Sequence, residues 1–155
     1  MNTFGMAKEN KAFRPENDTW VSRTAYDACL KYGQEYNISP ELLMAIIEKE
    51  SSGKPNVYNG ECRGLMQVSI RWHKERMVRL NCDDLFDEAQ NIHVATDYLA
   101  ELLEKYEDIR LVLMMYNMKK DTALKNWKNG NITPYATEII ERAKELEEIH
   151  SKFKG

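Results

Sequence analysis

The chain has 155 residues, of which 30% are charged, and its formal net charge is −3 at pH 7. This length predicts a single domain with a substantial buried core, and the slight acidic excess gives no general reason to expect nucleic acid or an anionic membrane as a partner. No apolar run approaches the roughly 18 residues that a membrane-spanning helix requires, so we expect no membrane span.

The cysteines and histidines do not form a metal-binding pattern. Cys29, Cys62 and Cys82 are far apart, odd in number and without metal-ligand spacing, and they imply no disulfide framework. With only three histidines in the chain, we expect neither a metal nor another cofactor.

The N-terminal residues are polar and lack a hydrophobic period. We expect a flexible arm over residues 1–18, followed by a single domain over residues 19–155. The arm contains no apolar core of the kind that a signal peptide needs, which predicts a removed leader or export by another route. Asp18 or Thr19 is predicted to cap a first helix that ends near Tyr36.

The segment from Ser39 to Gly53 carries signals for both ends of a second helix. Ser39 is a favourable N-cap residue, and Pro40 suits the first helical position because its missing N–H would be unpaired there anyway. Ser51, Ser52 and Gly53 follow the last apolar residue, which is typical of a helix end.

The apolar stripe of this second helix contains one carboxylate. The apolar members of the stripe are Leu42, Leu43, Ile46 and Ile47. Glu50 falls near the middle of the stripe, whereas Glu41, Glu48 and Lys49 fall outside it. Either the helix frays and Glu50 turns to solvent, or Glu50 lies in a partly apolar pocket. Such a pocket raises the pKa of a carboxyl group and makes it able to donate a proton near neutral pH.

Turn-forming residues dominate from Gly53 to Gly64. This segment is predicted to be either an irregular loop or a short hairpin with Asn59-Gly60 at its tip.

A basic and aromatic run extends from Arg71 to Arg79. We interpret it as a solvated helix face, because four basic side chains in an acidic protein are weak evidence for a nucleic-acid patch.

The rest of the chain is predicted to be helical. Hydrophobic spacing predicts a helix from Asn91 to Tyr106, a short buried helix from Ile109 to Tyr116, and another short helix from about Thr122 to Trp127. Thr133-Pro134 begins the last helix. The pattern indicates a compact all-α domain.

Five short motifs occur in order along the chain. They are Glu50-Ser51, Gly64-Leu65-Met66-Gln67, Asn91-Ile92 with Tyr98-Leu99, Tyr116-Asn117 and Pro134-Tyr135. This ordered set resembles the soluble lytic transglycosylase (SLT) family and its goose-type, lysozyme-like fold, over roughly Ile38 to Arg142. The resemblance favours the pocket alternative for Glu50, because the family's single catalytic acid occupies this position.

The resemblance implies a substrate and a mechanism. The substrate would be the glycan strand of peptidoglycan, cleaved between N-acetylmuramic acid and N-acetylglucosamine. Glu50 would protonate the glycosidic oxygen and then accept the proton of the sugar's own 6-hydroxyl, which closes on C1 to give a 1,6-anhydro product.

The resemblance also implies roles for other residues. Tyr116 is similar to the family tyrosine that hydrogen-bonds and orients the catalytic glutamate. The residues implied in substrate binding are Ser51, Met66 (backbone and side chain), Gln67, Asn117 and Tyr135.

Hydrolysis normally requires a second carboxylate. Goose-type lysozymes, whose Gly-Leu-Met-Gln-Val segment resembles this one, carry an aspartate directly after the valine, where this chain has Ser69. This difference favours the anhydro product over muramidase-type hydrolysis. The remaining candidates for a second carboxylate are Glu61, Asp83, Asp84 and Asp87.

Several residues depart from the family's usual pattern. Met118 and Lys119 follow Tyr-Asn, where a small residue and a glycine are usual. The other departures are Cys62, Ala95, Met114 and Met115. These changes leave the catalytic set intact and are expected to alter the width of the groove and its subsite preferences.

Two other functions remain open at this stage. One is a muramidase-type hydrolase, and the other is a non-catalytic wall-binding component of a phage particle or secretion apparatus. In each case we expect the protein to act at the bacterial cell wall, as a monomer, and the small size suits a phage or mobile-element origin.

Overall fold

A computed structural model describes residues 19–152, and the flexible arm expected over residues 1–18 lies outside them. Within this range the chain forms seven helices and one small antiparallel sheet, which confirms the predicted fold class. None of these helices is long and apolar enough to cross a membrane. The elements are α1 Arg23–Tyr36, α2 Pro40–Ser51, β1 Cys62–Arg63, β2 Val68–Ser69, α3 Ile70–Leu80, α4 Glu88–Tyr106, α5 Ile109–Asn117, α6 Lys120–Lys128 and α7 Pro134–Ser151.

Two helices begin at residues other than those predicted. Ser22 caps α1 by accepting a backbone N–H of the first turn, whereas the hydroxyl of Thr19 donates to Glu48 at 2.9 Å. Asp87 caps α4 in the same way, so the helix begins before Asn91. In both helices another residue supplies the capping oxygen, and the residue predicted at the helix start makes a tertiary contact instead.

Helix α2 lies at the centre of the domain. Its predicted ends are confirmed, because the Ser39 side chain accepts the N–H of the first turn and Ser52 ends the helix in the left-handed conformation, with φ of 54°. The helix packs against both α1 and α7. Residues 42–47 are therefore buried on every side, rather than along one stripe.

Two carboxylates outside the predicted stripe fasten α2 to α7. Glu41 is buried and lies 2.8 Å from Nδ1 of His150. Glu48 accepts a hydrogen bond of 2.7 Å from Nε of Arg142. Each of these carboxylates is thus buried next to a polar partner on the neighbouring helix, which offsets the cost of its desolvation.

The small sheet follows the predicted turn. Strands β1 and β2 pair antiparallel, with Cys62 opposite Ser69. An isolated bridge between Tyr58 and Arg63 closes the turn that precedes β1, and the side chain of Asn59 accepts two backbone N–H groups at its tip. The predicted turn at Asn59-Gly60 is present but is closed by this single bridge, whereas the strand pair itself turns at residues 64–67.

Asn91, on α4, anchors the loop between the two strands. Its Oδ1 accepts the N–H of Met66 at 2.8 Å, and its Nδ2 donates to the carbonyl oxygens of Arg63 and Leu85, both at 2.8 Å. The side chain is only 1% exposed. A single buried amide therefore fixes the height of the loop above α4.

The loop leaves no room for a side chain at Gly64, where φ is +81° and an added Cβ would lie 2.3 Å from both Nδ2 of Asn91 and the carbonyl oxygen of Leu85. Gly60 has a similar φ of +93° but nothing within 4 Å of an added Cβ. We expect Gly60→Ala to cost about 1 kcal/mol of unfolding free energy through backbone strain alone. Gly64→Ala should cost about 3 kcal/mol or more, because overpacking adds to the strain. Chemical denaturation of the two variants measures the difference, and equal losses would contradict the anchoring role of Asn91.

Candidate active site

Glu50 lies in the last turn of α2, and the helix continues through Ser51. The N–H of Ser52 donates to the carbonyl oxygen of Glu48 at 3.0 Å, so the final turn is closed. The side chain of Glu50 is half-buried. The alternative of a frayed helix end with Glu50 in solvent is therefore wrong.

The Glu50 carboxylate is held by Tyr135, whose hydroxyl donates to Oε2 at 2.5 Å. Tyr135 lies in the first turn of α7, where Thr133 is the cap and Pro134 takes the first position, as predicted. The family resemblance implied this contact for Tyr116 and a role in substrate binding for Tyr135. The structure gives the contact to Tyr135, because α7 packs directly against α2.

Burial and the contact between Glu50 and Tyr135 shift the pKa values of both groups. Burial raises the pKa of Glu50 above that of an exposed glutamate, while the hydrogen bond from Tyr135 and the charge of Lys49 act in the opposite direction. Burial and the charge of Glu50 raise the pKa of Tyr135 far above its ordinary value. Tyr135 therefore remains a donor over the whole neutral range, and Glu50 retains its proton to a higher pH than an exposed glutamate does.

Tyr116 lies close to Glu50 without donating to it. Its hydroxyl donates to the carbonyl oxygen of Met66 at 2.7 Å. Burial, and after it the negative charge of Glu50, raise its pKa well above the ordinary value. Since a phenol has one proton, which Tyr116 donates to Met66, Tyr116 in this arrangement does not donate a hydrogen bond to Glu50.

A cavity of about 670 Å³ opens beside these groups, between the sheet, α3, α4, α5 and the start of α6. Glu50 and Tyr135 do not themselves line it. Cys62 and Tyr116 do line it, and burial followed by neighbouring negative charges that include Glu50 raises the pKa of both. Glu50 therefore lies within electrostatic range of the wall that Cys62 and Tyr116 form.

Of the five residues implied in substrate binding, two line the cavity, and three, among them Tyr135, do not. Gln67 and Asn117 line it, and the Gln67 amide also braces its own loop by donating to the Gly64 carbonyl oxygen at 3.0 Å. Met66 is wholly buried. Ser51 is also buried, and its hydroxyl donates to the backbone of its own helix. The side chains of Met66 and Ser51 therefore belong to the core of this structure.

Most of the departures from the family pattern meet on the cavity wall. The residues that line it are Cys62, Ala95, Met115, Met118 and Lys119. Met114, by contrast, is fully buried. The departures therefore change the chemistry of the cavity surface, and Met114 fills the core behind it.

The structure selects one of the four candidate second carboxylates. Glu61 lines the cavity, and its Oε2 accepts a hydrogen bond of 2.6 Å from the Ser69 hydroxyl across the sheet. Asp83, Asp84 and Asp87 do not line it, and the last two accept backbone N–H groups. Sequence spacing had not separated these four, because the choice depends on the pairing of β1 with β2.

Comparison with known proteins identifies relatives. The family model described as the transglycosylase SLT domain matches residues 27–138. A protein of Enterobacteria phage PRD1 named "Transglycosylase" is 32% identical over 94 residues, which cover 60% of this chain and 33% of the phage protein. The solved structure of an inactive mutant of lytic transglycosylase Slt from Pseudomonas aeruginosa has a TM-score of 0.68 and 15% identity, and the match covers 79% of this chain and 24% of Slt. The last likeness is one of fold, and this chain spans a third or less of either relative.

The hydrogen bond from Tyr135 stabilises the ionised form of Glu50, so its removal should raise the pKa of Glu50 further. We expect this in Tyr135→Phe, measured by carbon NMR titration of the glutamate carboxyl groups. Tyr116→Phe is the matched control, because that hydroxyl donates to a carbonyl oxygen instead. A pKa that moves downward in Tyr135→Phe, or equally upward in both variants, would contradict the assignment.

Proposed function

Because the chain belongs to the transglycosylase SLT domain family, we propose that it is a lytic transglycosylase that cleaves peptidoglycan glycan strands between N-acetylmuramic acid and N-acetylglucosamine. The observation that carries the proposal is Glu50, a half-buried carboxyl group with a raised pKa at the end of a rigid helix, beside a cavity large enough for sugar rings. Such a group suits proton donation near neutral pH.

The mechanism assigns both proton transfers to Glu50. The protonated carboxyl donates to the glycosidic oxygen, and the bond from that oxygen to C1 of N-acetylmuramic acid breaks as positive charge develops on C1. The carboxylate then takes the proton of the 6-hydroxyl of the same sugar, whose oxygen bonds to C1. Glu50 ends the cycle protonated, and the product is a 1,6-anhydro sugar.

The neighbouring residues support this cycle through position. Tyr135 holds Oε2 of Glu50 at 2.5 Å, which fixes the direction of the carboxyl group for both transfers. Tyr116 braces the loop through its hydrogen bond to the Met66 carbonyl oxygen. Gln67 and Asn117, on the cavity wall, supply amide groups that suit sugar hydroxyl and acetamido groups.

The relatives support a transglycosylase activity, and one of them supports an essential glutamate. Slt from Pseudomonas aeruginosa is inactive as a glutamate-to-glutamine mutant, and the phage PRD1 protein carries the name "Transglycosylase". By analogy we place the site of action of this chain at the bacterial cell wall.

The first test is mass spectrometry of the muropeptides that the protein releases from purified peptidoglycan. We expect products that lack one water relative to the reducing sugar. Glu50→Gln should lower the rate about 10³-fold or more while keeping the fold, since a positioned general acid contributes about 10²–10⁴. Glu75→Gln, an exposed glutamate on α3 outside the cavity wall, is the control and should keep full activity.

Undiminished activity in Glu50→Gln would overturn the mechanism. An absence of products from the unmodified protein would overturn the proposal itself and favour a non-catalytic wall-binding component.

Hydrolysis is the second candidate, and Glu61 is the observation that favours it. This carboxylate lies on the cavity wall and is held by Ser69, the position at which goose-type lysozymes carry an aspartate. A carboxylate on the wall is the feature that a water-activating base requires.

The variant Glu61→Gln separates the two candidates. If the reaction closes the 6-hydroxyl on C1, the anhydro products persist and the rate stays within about tenfold, because Glu61 takes no proton in that cycle. Reducing-end products from the unmodified protein that disappear in Glu61→Gln would establish hydrolysis instead. Ser69→Ala, which frees the carboxylate without removing it, should then show a smaller loss than Glu61→Gln.

A further inference from the structure

Two sequence features have no part in the proposed mechanism. One is the basic and aromatic run that begins at Arg71, and the other is the lysine pair Lys119 and Lys120, which follows Asn117 and Met118. The run lies on α3, and the lysines lie where α6 begins. In the folded domain both features contribute residues to the wall of the same cavity.

The ion pairs of the cavity wall leave it positively charged. Arg76 is the one of its four Arg and Lys side chains that pairs with carboxylates, contacting Asp97 and Glu101. Within residues 19–152, Arg71, Lys119 and Lys120 form no ion pair with a carboxylate. This wall thus carries three cations that have no carboxylate partner among the described residues.

The aromatic contacts of these cations leave the charges accessible. The guanidinium of Arg71 lies 5.1 Å from the ring centre of Trp72, and Nζ of Lys120 lies 5.8 Å from that of Tyr106. Such contacts orient a cation without neutralising it.

The acidic and titratable groups of the wall do not cancel this charge. Glu61 is the carboxylate that lines the cavity, and its hydrogen bond from the Ser69 hydroxyl leaves its negative charge in place, so it offsets at most one of the three cations. His73 accepts a hydrogen bond from Arg76, and burial together with the charge of Arg76 lowers its pKa to about 4. The imidazole is therefore neutral at physiological pH and adds no charge of its own.

Trp72 gives the wall an apolar face beside the cations. Its side chain lines the cavity and is 71% exposed, in a domain that buries most of its large apolar side chains. A flat ring next to guanidinium and ammonium groups suits a sugar ring that carries an anionic arm.

We propose that Arg71, Lys119 and Lys120 bind carboxylate groups of the muramic acid side arm of the glycan strand, with Trp72 packed against a sugar ring. This inference rests on the proposed function, since it names the part of the peptidoglycan substrate that the cavity recognises. The carboxylate is either the lactyl group of a peptide-free strand or a carboxylate of the attached peptide. An ordinary solvated helix face, which was the interpretation from sequence, does not bring cations of two separate segments into one cavity.

The test measures binding in the full chain carrying Glu50→Gln, so that cleavage does not consume the ligand. One variant adds Arg71→Gln, Lys119→Gln and Lys120→Gln. The matched control adds Lys74→Gln, Lys125→Gln and Lys128→Gln, which remove the same charge from exposed positions on α3 and α6 outside the cavity wall. Isothermal titration compares three probes: a neutral hexamer of N-acetylglucosamine, a peptide-free glycan fragment and the same fragment with its peptides.

The wall variant should bind carboxylate-bearing fragments about tenfold more weakly than the control variant at low ionic strength. The difference should shrink as salt screens the charges, and the neutral hexamer should bind both variants equally. Loss with the peptide-free fragment identifies the lactyl carboxylate, and loss confined to the peptide-bearing fragment identifies the peptide. Equal affinity of the two variants for every fragment, or an equal loss for the neutral hexamer, would overturn the proposal.

The cleavage assay on the chain with Glu50 intact keeps the two proposals apart. Cleavage without a difference between the wall and control variants counts against the cationic wall alone. A charge-dependent difference in binding without any cleavage counts against the transglycosylase activity alone.

Discussion

The buried amide of Asn91 is the contact on which the geometry of the site depends. It joins α4 to the backbone of Arg63 and Met66, at the loop between β1 and β2, and to that of Leu85, in the segment before α4, through three hydrogen bonds of 2.8 Å. An unpaired backbone group in this position would cost about 1–3 kcal/mol. The loop in turn offers the Met66 carbonyl oxygen to Tyr116, so the position of a tyrosine on α5 follows from an asparagine on α4.

The second constraint is the burial of α2. Because α1 and α7 cover it, the helix carries apolar residues on nearly all sides, and its glutamates are taken from water only beside partners on other elements. Glu41 faces His150, Glu48 faces Arg142, and Glu50 faces Tyr135. The first two partners are basic side chains and the third is a neutral phenol. That difference leaves Glu50 without a cation bonded to it, and burial can then raise its pKa.

Local signals predicted a large part of this arrangement. Ser39 with Pro40, and Thr133 with Pro134, marked helix starts because the capping oxygen and the missing N–H act within one turn. The position of Glu50 on an apolar stripe left its burial open, and the family resemblance favoured the pocket. The predicted start of α4 was wrong. Asparagine is a favourable residue at a helix start, and only the folded chain shows that the Asn91 amide forms hydrogen bonds to a distant loop instead.

The assignment of the tyrosines could not be made from spacing. Tyr116 and Tyr135 both lie at helix ends next to a short motif, and the choice between them depends on how α7 docks on α2. The same holds for Glu61 among the four carboxylates, since only the register of a two-residue strand pair places it against Ser69. Tertiary contacts of this kind leave no periodic trace in the chain.

The hydrogen bond between Tyr135 and Glu50 joins residues that are 85 positions apart. During synthesis α2 leaves the ribosome long before α7, and until α7 docks, Glu41, Glu48 and Glu50 lack His150, Arg142 and Tyr135. A nascent or clipped chain without α7 therefore has neither the partners that let α2 be buried nor the group that orients the Glu50 carboxyl. The surroundings of Glu50 are complete only after α7, the last helix of the described residues, has docked.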